Sequence, residues 1–417
     1  MRIRKRCRAA VVALPLLLAV VGCESGAGAE RAGGPGDDGG SPSASPSRLS
    51  VFDVPVRRQP TAAGAALADS GSARFTTTVT YVSAGKSAVE RTDGVLDWRK
   101  DAARAERVLR VPAGFPAGAA EELGLTPGRT DRQSYAVEGN EVAYRTKGGT
   151  WLRYSASDSK KFADRVGGLL NQAGDAAPWG RTLAEVLKVS SADGGYEALP
   201  GGGRRYRAAV DGYAMRVALP SAVGRYVDGR GSHRTVVVDL DREGRLVRAE
   251  ADLKSLLAEL HGQGELRGLT ELRVELSLTG HGRPVTALVP STERFEAAQK
   301  VLTALDEVEP GSCASIDTGL DHPGLVRSVP CGSGADLRVF SQQRIDKTVR
   351  DTNPEGLGRR LATEGCRRDF REVPAAWTSG ARPAGGYQIS GKEKLSYAYT
   401  GPDATVRGDF TCYVTLR

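Results

Sequence analysis

The chain has 417 residues and a formal net charge of +8, with 40% hydrophobic, 26% charged and only 6% aromatic residues. That length exceeds one ordinary core and fits two globular domains with a tail, and the composition excludes wholesale disorder. Five of the positive charges, Arg2, Arg4, Lys5, Arg6 and Arg8, crowd the first eight residues and leave only about +3 for the rest, so no nucleic-acid partner is expected.

That basic start is followed by an apolar run of 13 residues, 9–21, shorter than the roughly 18 or more of a membrane span. Residues 1–22 therefore read as an export signal. The signal closes on Val20-Val21-Gly22-Cys23, which resembles the lipobox of bacterial lipoproteins, with Val20 where Leu is usual. The resemblance implies that Cys23 becomes an acylated mature N-terminus on the outer face of the cell membrane, anchored by its acyl chains. Residues 23–50 are mostly Gly, Ser, Pro, Ala and Asp and read as a flexible tether, spanning about 25 to 30 Å as a coil.

Residues 51–304 read as an antiparallel β domain with a few helices. In residues 270–279, Leu272, Val274, Leu276 and Leu278 alternate with Glu271, Arg273, Glu275 and Ser277, the period of a half-buried strand. A hairpin is predicted over 235–253, with Val236, Val238 and Leu240 facing Val247, Ala249, Ala251 and Leu253 across the turn Asp241-Arg242-Glu243-Gly244. Strands 142–146 and 151–155 flank Lys147-Gly148-Gly149-Thr150, and residues 74–83 and 92–111 add further strands. Phe162, Val166, Leu169 and Leu170 share one helical face, and Leu183, Val186 and Leu187 another. A one-sided sheet of this extent buries its apolar face by wrapping around such helices. The expected class is therefore α+β, a curved antiparallel half-barrel sheet wrapped around helices, followed by a small disulfide-stapled α+β domain.

A helix over 293–305 is expected to lead into that second domain, residues 305–417. Strands are predicted there at 325–329, 337–340, 395–400 and 410–416, with a helix over 354–364. Its four cysteines, Cys313, Cys331, Cys366 and Cys412, most simply form two disulfides in an exported protein. Three pairings are open. Cys313 with Cys331 and Cys366 with Cys412 is favoured, because short loops that do not interlock form easily, and the smaller loop would contribute about 3 kcal/mol. A metal site would need close spacing such as C-x-x-C, which is missing, so no metal is expected.

Several stretches of the first domain resemble the LppX/LprG group of actinobacterial lipoproteins and, more distantly, the LolA-like carriers. They are Gly195-Tyr196-Glu197, Arg205-Tyr206, Val210-Asp211, the turn at 239–244 and Gly282-Arg283-Pro284-Val285 running on to Pro290. In the last quarter, Gly311-Ser312-Cys313, Val329-Pro330-Cys331, Val339, Cys366 and Cys412 are similar to two-disulfide modules of the LppU and septum-formation type. The first resemblance implies a half-barrel that binds or carries an apolar or lipidic ligand, or a lipoprotein, with Leu272, Val274, Leu276 and Leu278 as lining. Periodicity alone fits those four equally well to a closed core. The alternative function is a structural or sensory envelope protein that contacts other proteins or cell wall, with no ligand cavity.

Catalytic signals are thin. G-x-S-x-G, H-E-x-x-H and the S-x-x-K set are all missing, so neither a catalytic residue nor a cofactor is assigned and no enzyme is expected. His233, His261, His281 and His322 sit in turn-like contexts and read as exposed loop histidines. Residues 386–392 spell G-x-x-x-x-G-K, but Glu393 stands where a P-loop needs Ser or Thr. Arg407-Gly408-Asp409 falls in a predicted strand, and the carboxylate pairs Glu121-Glu122 and Asp239/Asp241 read as solvated.

Overall fold

The computed structural model describes residues 50–417 apart from 101, 140, 156, 160, 161, 163–185, 225, 228–232, 285–293, 319–323, 333, 351–353, 379–385, 399, 400 and 417. The export signal, Cys23 and nearly all of the tether lie outside the described residues, as do Val166, Leu169, Leu170, Leu183 and His322. Residues from Leu49 onward form one compact unit.

The chain enters through two short 3-10 turns, Val51–Asp53 and Val56–Arg58, and helix α1 (Gln59–Ser70), which starts on Pro60 and stops at Gly71 with φ 85°. Twelve strands then build one large sheet. β1 (Ser72–Ser83), β2 (Lys86–Asp97) and β3 (Ala102–Arg110) run as a meander; helix α2 (Ala117–Leu123) leads to β4 (Thr130–Glu138), β5 (Glu141–Arg145) and β6 (Trp151–Ser155). β7 (Ser191–Ala198) and β8 (Arg204–Val210) precede helix α3 (Gly212–Ala218), whose first turn is capped by Asp211 accepting from the Ala214 N–H at 2.7 Å. β9 (Arg234–Leu240), β10 (Leu246–Asp252), helix α4 (Lys254–Gln263) and β11 (Glu271–Thr279) follow, and β12 (Phe295–Ala297) closes the series.

The spatial order is β12-β6-β5-β4-β3-β2-β1-β11-β10-β9-β8-β7. Every neighbouring pair is antiparallel except β12 with β6, and the sheet is curved and open. The inward positions of β1 and β8 to β11 pack on α1, α3 and α4 in the largest apolar cluster. The convex face is a lattice of arginines and carboxylates. Gly94 on β2 lies beneath the Phe75 ring, and a Cβ there would collide with that ring and with the Arg104 carbonyl, so only glycine lets these strands close up.

Two sequence expectations change. A register shift between Leu246 and Arg248 brings Leu246 and Ala249 to the buried face, so Val247 does not share the face of Ala249 and Ala251. The helix expected over 293–305 reduces, among the described residues, to one turn, α5 (Ala298–Val301), between β12 and β13 (Thr303–Ala304). Ala298 and Leu302 there pack into a cluster shared with β4 to β6, and pairing with β6 takes over the residues the helix would have needed.

The rest forms a second, six-stranded antiparallel sheet. Its members are β13, β14 (Cys313–Ser315), β15 (Leu325–Val329), β16 (Leu337–Arg350), β17 (Gln388–Tyr397) and β18 (Asp403–Thr415), in the order β13-β15-β14-β16-β18-β17. Helix α6 (Leu357–Phe370) crosses it, with Glu393 accepting from the Gly358 N–H at 2.8 Å at the helix start. The disulfides join Cys313 to Cys331 beside β14 and β15, and Cys366 on α6 to Cys412 on β18, with Cα separations of 5.1 and 5.8 Å. The second bridge staples the helix to the sheet over a small core of Phe340, Val414, Phe370 and Trp377.

Candidate functional site

The four inward positions of β11 are all in place on the concave face. Leu272, Val274, Leu276 and Leu278 are 0 to 1% exposed and pack with Ala249, Ala251, Val236, Val238 and Leu240 from neighbouring strands. Side chains with so little surface open to water face packed neighbours at these positions.

On the other side of β11, from β1 onward, the concave face changes character. Strand register sets Thr77, Thr92, Arg107 and Gln133 in one row across β1 to β4, with Glu90 opposite Val79 one step along. Arg107 donates to Glu90 Oε2 at 2.5 Å and to Gln133 Oε1 at 2.7 Å, and the Tyr135 hydroxyl donates to the same Gln133 oxygen. Glu90, Thr92, Tyr81 and Tyr135 are buried, whereas 22% of the Arg107 side chain is open to solvent. Arg107 Nε and Thr77 Oγ1 are enclosed without a hydrogen-bond partner. Burial works against the Arg107 charge, but the adjacent Glu90 carboxylate more than compensates, so the guanidinium is held more firmly protonated than in water. Burial, with Glu90 adding to it, pushes the Tyr81 phenol well above its ordinary range.

This polar belt lies between the main core and a second apolar cluster made by Val137, Val142, Leu152 and Tyr154 with Ala298 and Leu325. Leu325 belongs to the C-terminal sheet, which is fastened there by directed bonds. Tyr144 donates to Asp317 Oδ1 at 2.7 Å, the Lys147 N–H to Asp317 Oδ2 at 2.8 Å, and Tyr154 to the Thr318 carbonyl at 2.5 Å. Burial first, then Asp317, raises the Tyr144 phenol far above its usual value.

Two open clefts flank this interior. One, of about 620 Å³, lies beside α2 between small residues, Glu121, Glu122 and Tyr226. The other, about 540 Å³, lies along β7 and β8, lined by Arg57, Asp193, Gly194 and His233. Neither is lined by the four β11 side chains. Of the histidines, only His233 is exposed as expected among those described. His261 and His281 are half-buried with Nε2 2.9 Å from the carbonyls of Leu266 and Leu246, and burial and Arg245 depress the basicity of His281. Asp239 is buried rather than solvated, bound by Arg205 at 2.7 and 2.9 Å. The belt has no short-range sequence signal: Glu90, Arg107 and Gln133 stand on three strands, and only the register aligns them.

Among the described residues no group of three or more His, Cys, Asp or Glu could hold a metal ion, and no helix is long and apolar enough to cross a membrane. No protein-family profile and no curated protein matches the sequence. Among solved structures, LprF from Mycobacterium bovis is similar at 14% identity and a TM-score of 0.30, over 55% of this chain and 94% of that one. A DUF1329 family protein from Desulfovibrio piger is similar at 12% identity and a TM-score of 0.21, over 56% and 96%. At such distances neither likeness bears on ligand or partner.

Proposed function

We propose that this chain is an extracytoplasmic lipoprotein, held to the outer face of the cell membrane by acyl chains on Cys23, that acts by binding and not by catalysis. Its ligand is apolar or lipidic, with a polar group that meets the belt on the concave face of the half-barrel. The observation that carries this reading is Arg107: a charged side chain at an inward strand position, still 22% accessible, with Nε and the neighbouring Thr77 Oγ1 unsatisfied. Buried polar groups cost free energy until they are paired, and a ligand that pairs them recovers that cost. The sheet surrounding them supplies the apolar surface an amphiphile needs.

A second reading, an envelope protein that contacts other proteins or cell wall and holds no ligand, draws on the closed packing at Leu272, Val274, Leu276 and Leu278. Native mass spectrometry of the mature chain from position 23, secreted with Cys23→Ser, separates the two. A co-purifying mass of lipid size, lost on denaturation and missing from the double variant Glu90→Leu/Arg107→Leu, is the expected result. A clean protein mass after incubation with membrane lipid would transfer the weight to the second reading.

A further inference from the structure

The first folded residues after the tether are pinned to one edge of the large sheet. The Val56–Arg58 turn packs along β7, Thr61 Oγ1 donates to the Ser190 carbonyl at 2.5 Å, and the Arg204 guanidinium lies between the rings of Phe52 and Tyr196, at 4.1 and 4.2 Å. The first described residues of the chain are therefore held beside β7. In sequence, 26 residues, 24–49, separate Cys23 from Ser50.

The same edge carries surface that water does not favour. Among the described residues four large hydrophobic side chains are exposed, and two of them are here: Val189, 58% exposed, just before β7, and Tyr196, 45% exposed, on it. Arg57 and Arg58 stand exposed next to them, and neither is ion-paired among the described residues. Of the nearby acids, Glu197 lies 4.0 Å from Arg205, Asp53 accepts from the Ser50 N–H at 2.8 Å and keeps its charge, and Asp193 lines the cleft with Arg57 and His233. Strand addition by a partner peptide suits this edge poorly. The Val56–Arg58 turn occupies it, and a bulge between Ala192 and Tyr196 breaks the ladder.

We propose that the β7 edge is a membrane-contact face, an inference that rests on the lipoprotein reading above. Val189 and Tyr196 enter the headgroup boundary of the bilayer that holds the anchor, and Arg57 and Arg58 meet phosphates of its anionic lipids. A phenol with an apolar body and a polar tip, an aliphatic neighbour and flanking arginines is the side-chain set that an interface of this kind takes up. Docking by this face would orient the half-barrel on the membrane instead of leaving it to swing on its tether.

The test uses the mature chain from position 23 with Cys23→Ser, so that no acyl chain contributes, and flotation with vesicles of phosphatidylglycerol and phosphatidylcholine in equal parts. The parent chain is expected to float with these vesicles. Val189→Asp/Tyr196→Asp should abolish flotation, and Arg57→Glu/Arg58→Glu should lower it by about thirtyfold or more, the effect of losing two arginines at an anionic surface. Tyr397→Asp, at an exposed residue of the other sheet, should float like the parent, with matched thermal melts showing that all variants are folded. Parent protein that stays with the unbound fraction, or equal losses for the β7 and Tyr397 variants, overturns the assignment. Failure of the anchor reading is seen separately, as a mature wild-type chain whose N-terminal peptide carries no acyl mass on Cys23.

Discussion

The two halves of the concave face follow the same strand period, yet they solve burial in opposite ways. From β8 to β11 the middle rows are apolar or an aromatic with its hydroxyl satisfied, as where Tyr206 donates to Gln59, and the two charges at strand ends, Arg204 and Arg234, are met by Gln59 and Glu259. Each such row gains about 25 cal/mol for every Å² taken from water. From β1 to β4 the row of Thr77, Thr92, Arg107 and Gln133 must satisfy each polar atom, and two of them go unsatisfied. The first half accounts for stability. The second is tolerated at a cost, and places where a fold accepts such a cost are where a binding role is most reasonably sought.

The largest effect should come from splitting the belt's ion pair. Glu90→Leu leaves the Arg107 charge without its carboxylate and should destabilise the fold by about 4 kcal/mol in urea titration. Glu90→Leu/Arg107→Leu should recover most of that loss, because well-packed apolar replacements of a buried pair are near neutral. A double variant as unstable as the single one would show that the belt is needed for folding and weaken its reading as a binding feature. In the other half, Leu276→Ala should cost about 3 kcal/mol by cavity formation, since its neighbours Ala249 and Thr77 are too short to fill the space. A loss below about 1 kcal/mol there would mean that the row is loosely packed and open to a ligand after all.

How far each half was legible in the sequence follows from the same contrast. Residues 270–279 alternate without interruption, so β11 and its inward face could be read from one strand alone. The cysteine spacing likewise favoured the two disulfides that the structure contains. In β2 and β3, Glu90 and Arg107 interrupt the apolar alternation, and a charge on an inward position reads locally as an outward one. Their meeting depends on pairing across β2, β3 and β4, information that no single strand carries. Val247 shows a smaller form of the same limit, because one bulge reverses the face of the residues beyond it. The helix expected over 293–305 gave way to pairing with β6, a tertiary contact that outweighed local propensity.

The join between the sheets offers a gentler test, by pH. Tyr144 is held neutral by burial and by Asp317, so its folded pKa lies above the unfolded value of about 10. Its contribution is fully present below that pH and is lost as pH rises through the folded value, with Tyr81 and Tyr154 acting in the same direction. Stability should therefore be level near pH 8 to 9 and fall above about 10. Tyr144→Phe should cost about 1 kcal/mol at neutral pH and make that alkaline decline shallower by one titrating group. An unchanged slope would place Tyr144 in contact with solvent and detach it from Asp317.

The smallest effect is expected where the same kind of ion pair lies on the convex face. Arg248 lies 2.8 Å from Glu250 and 3.9 Å from Glu275, with 49% of its side chain exposed, against 22% for Arg107. Water screens the first arrangement in both the folded and unfolded chain, so Arg248→Ala should change stability by less than about 0.5 kcal/mol, and less still in high salt. The Glu90 variant should keep most of its large penalty at the same salt concentration, since a partly buried pair is screened much less than an exposed one. Measured together, the two substitutions isolate burial as the variable. Comparable losses at both sites, with comparable salt dependence, would mean that the concave pair is hydrated like the convex one, and the cost that singles out the belt would vanish with it.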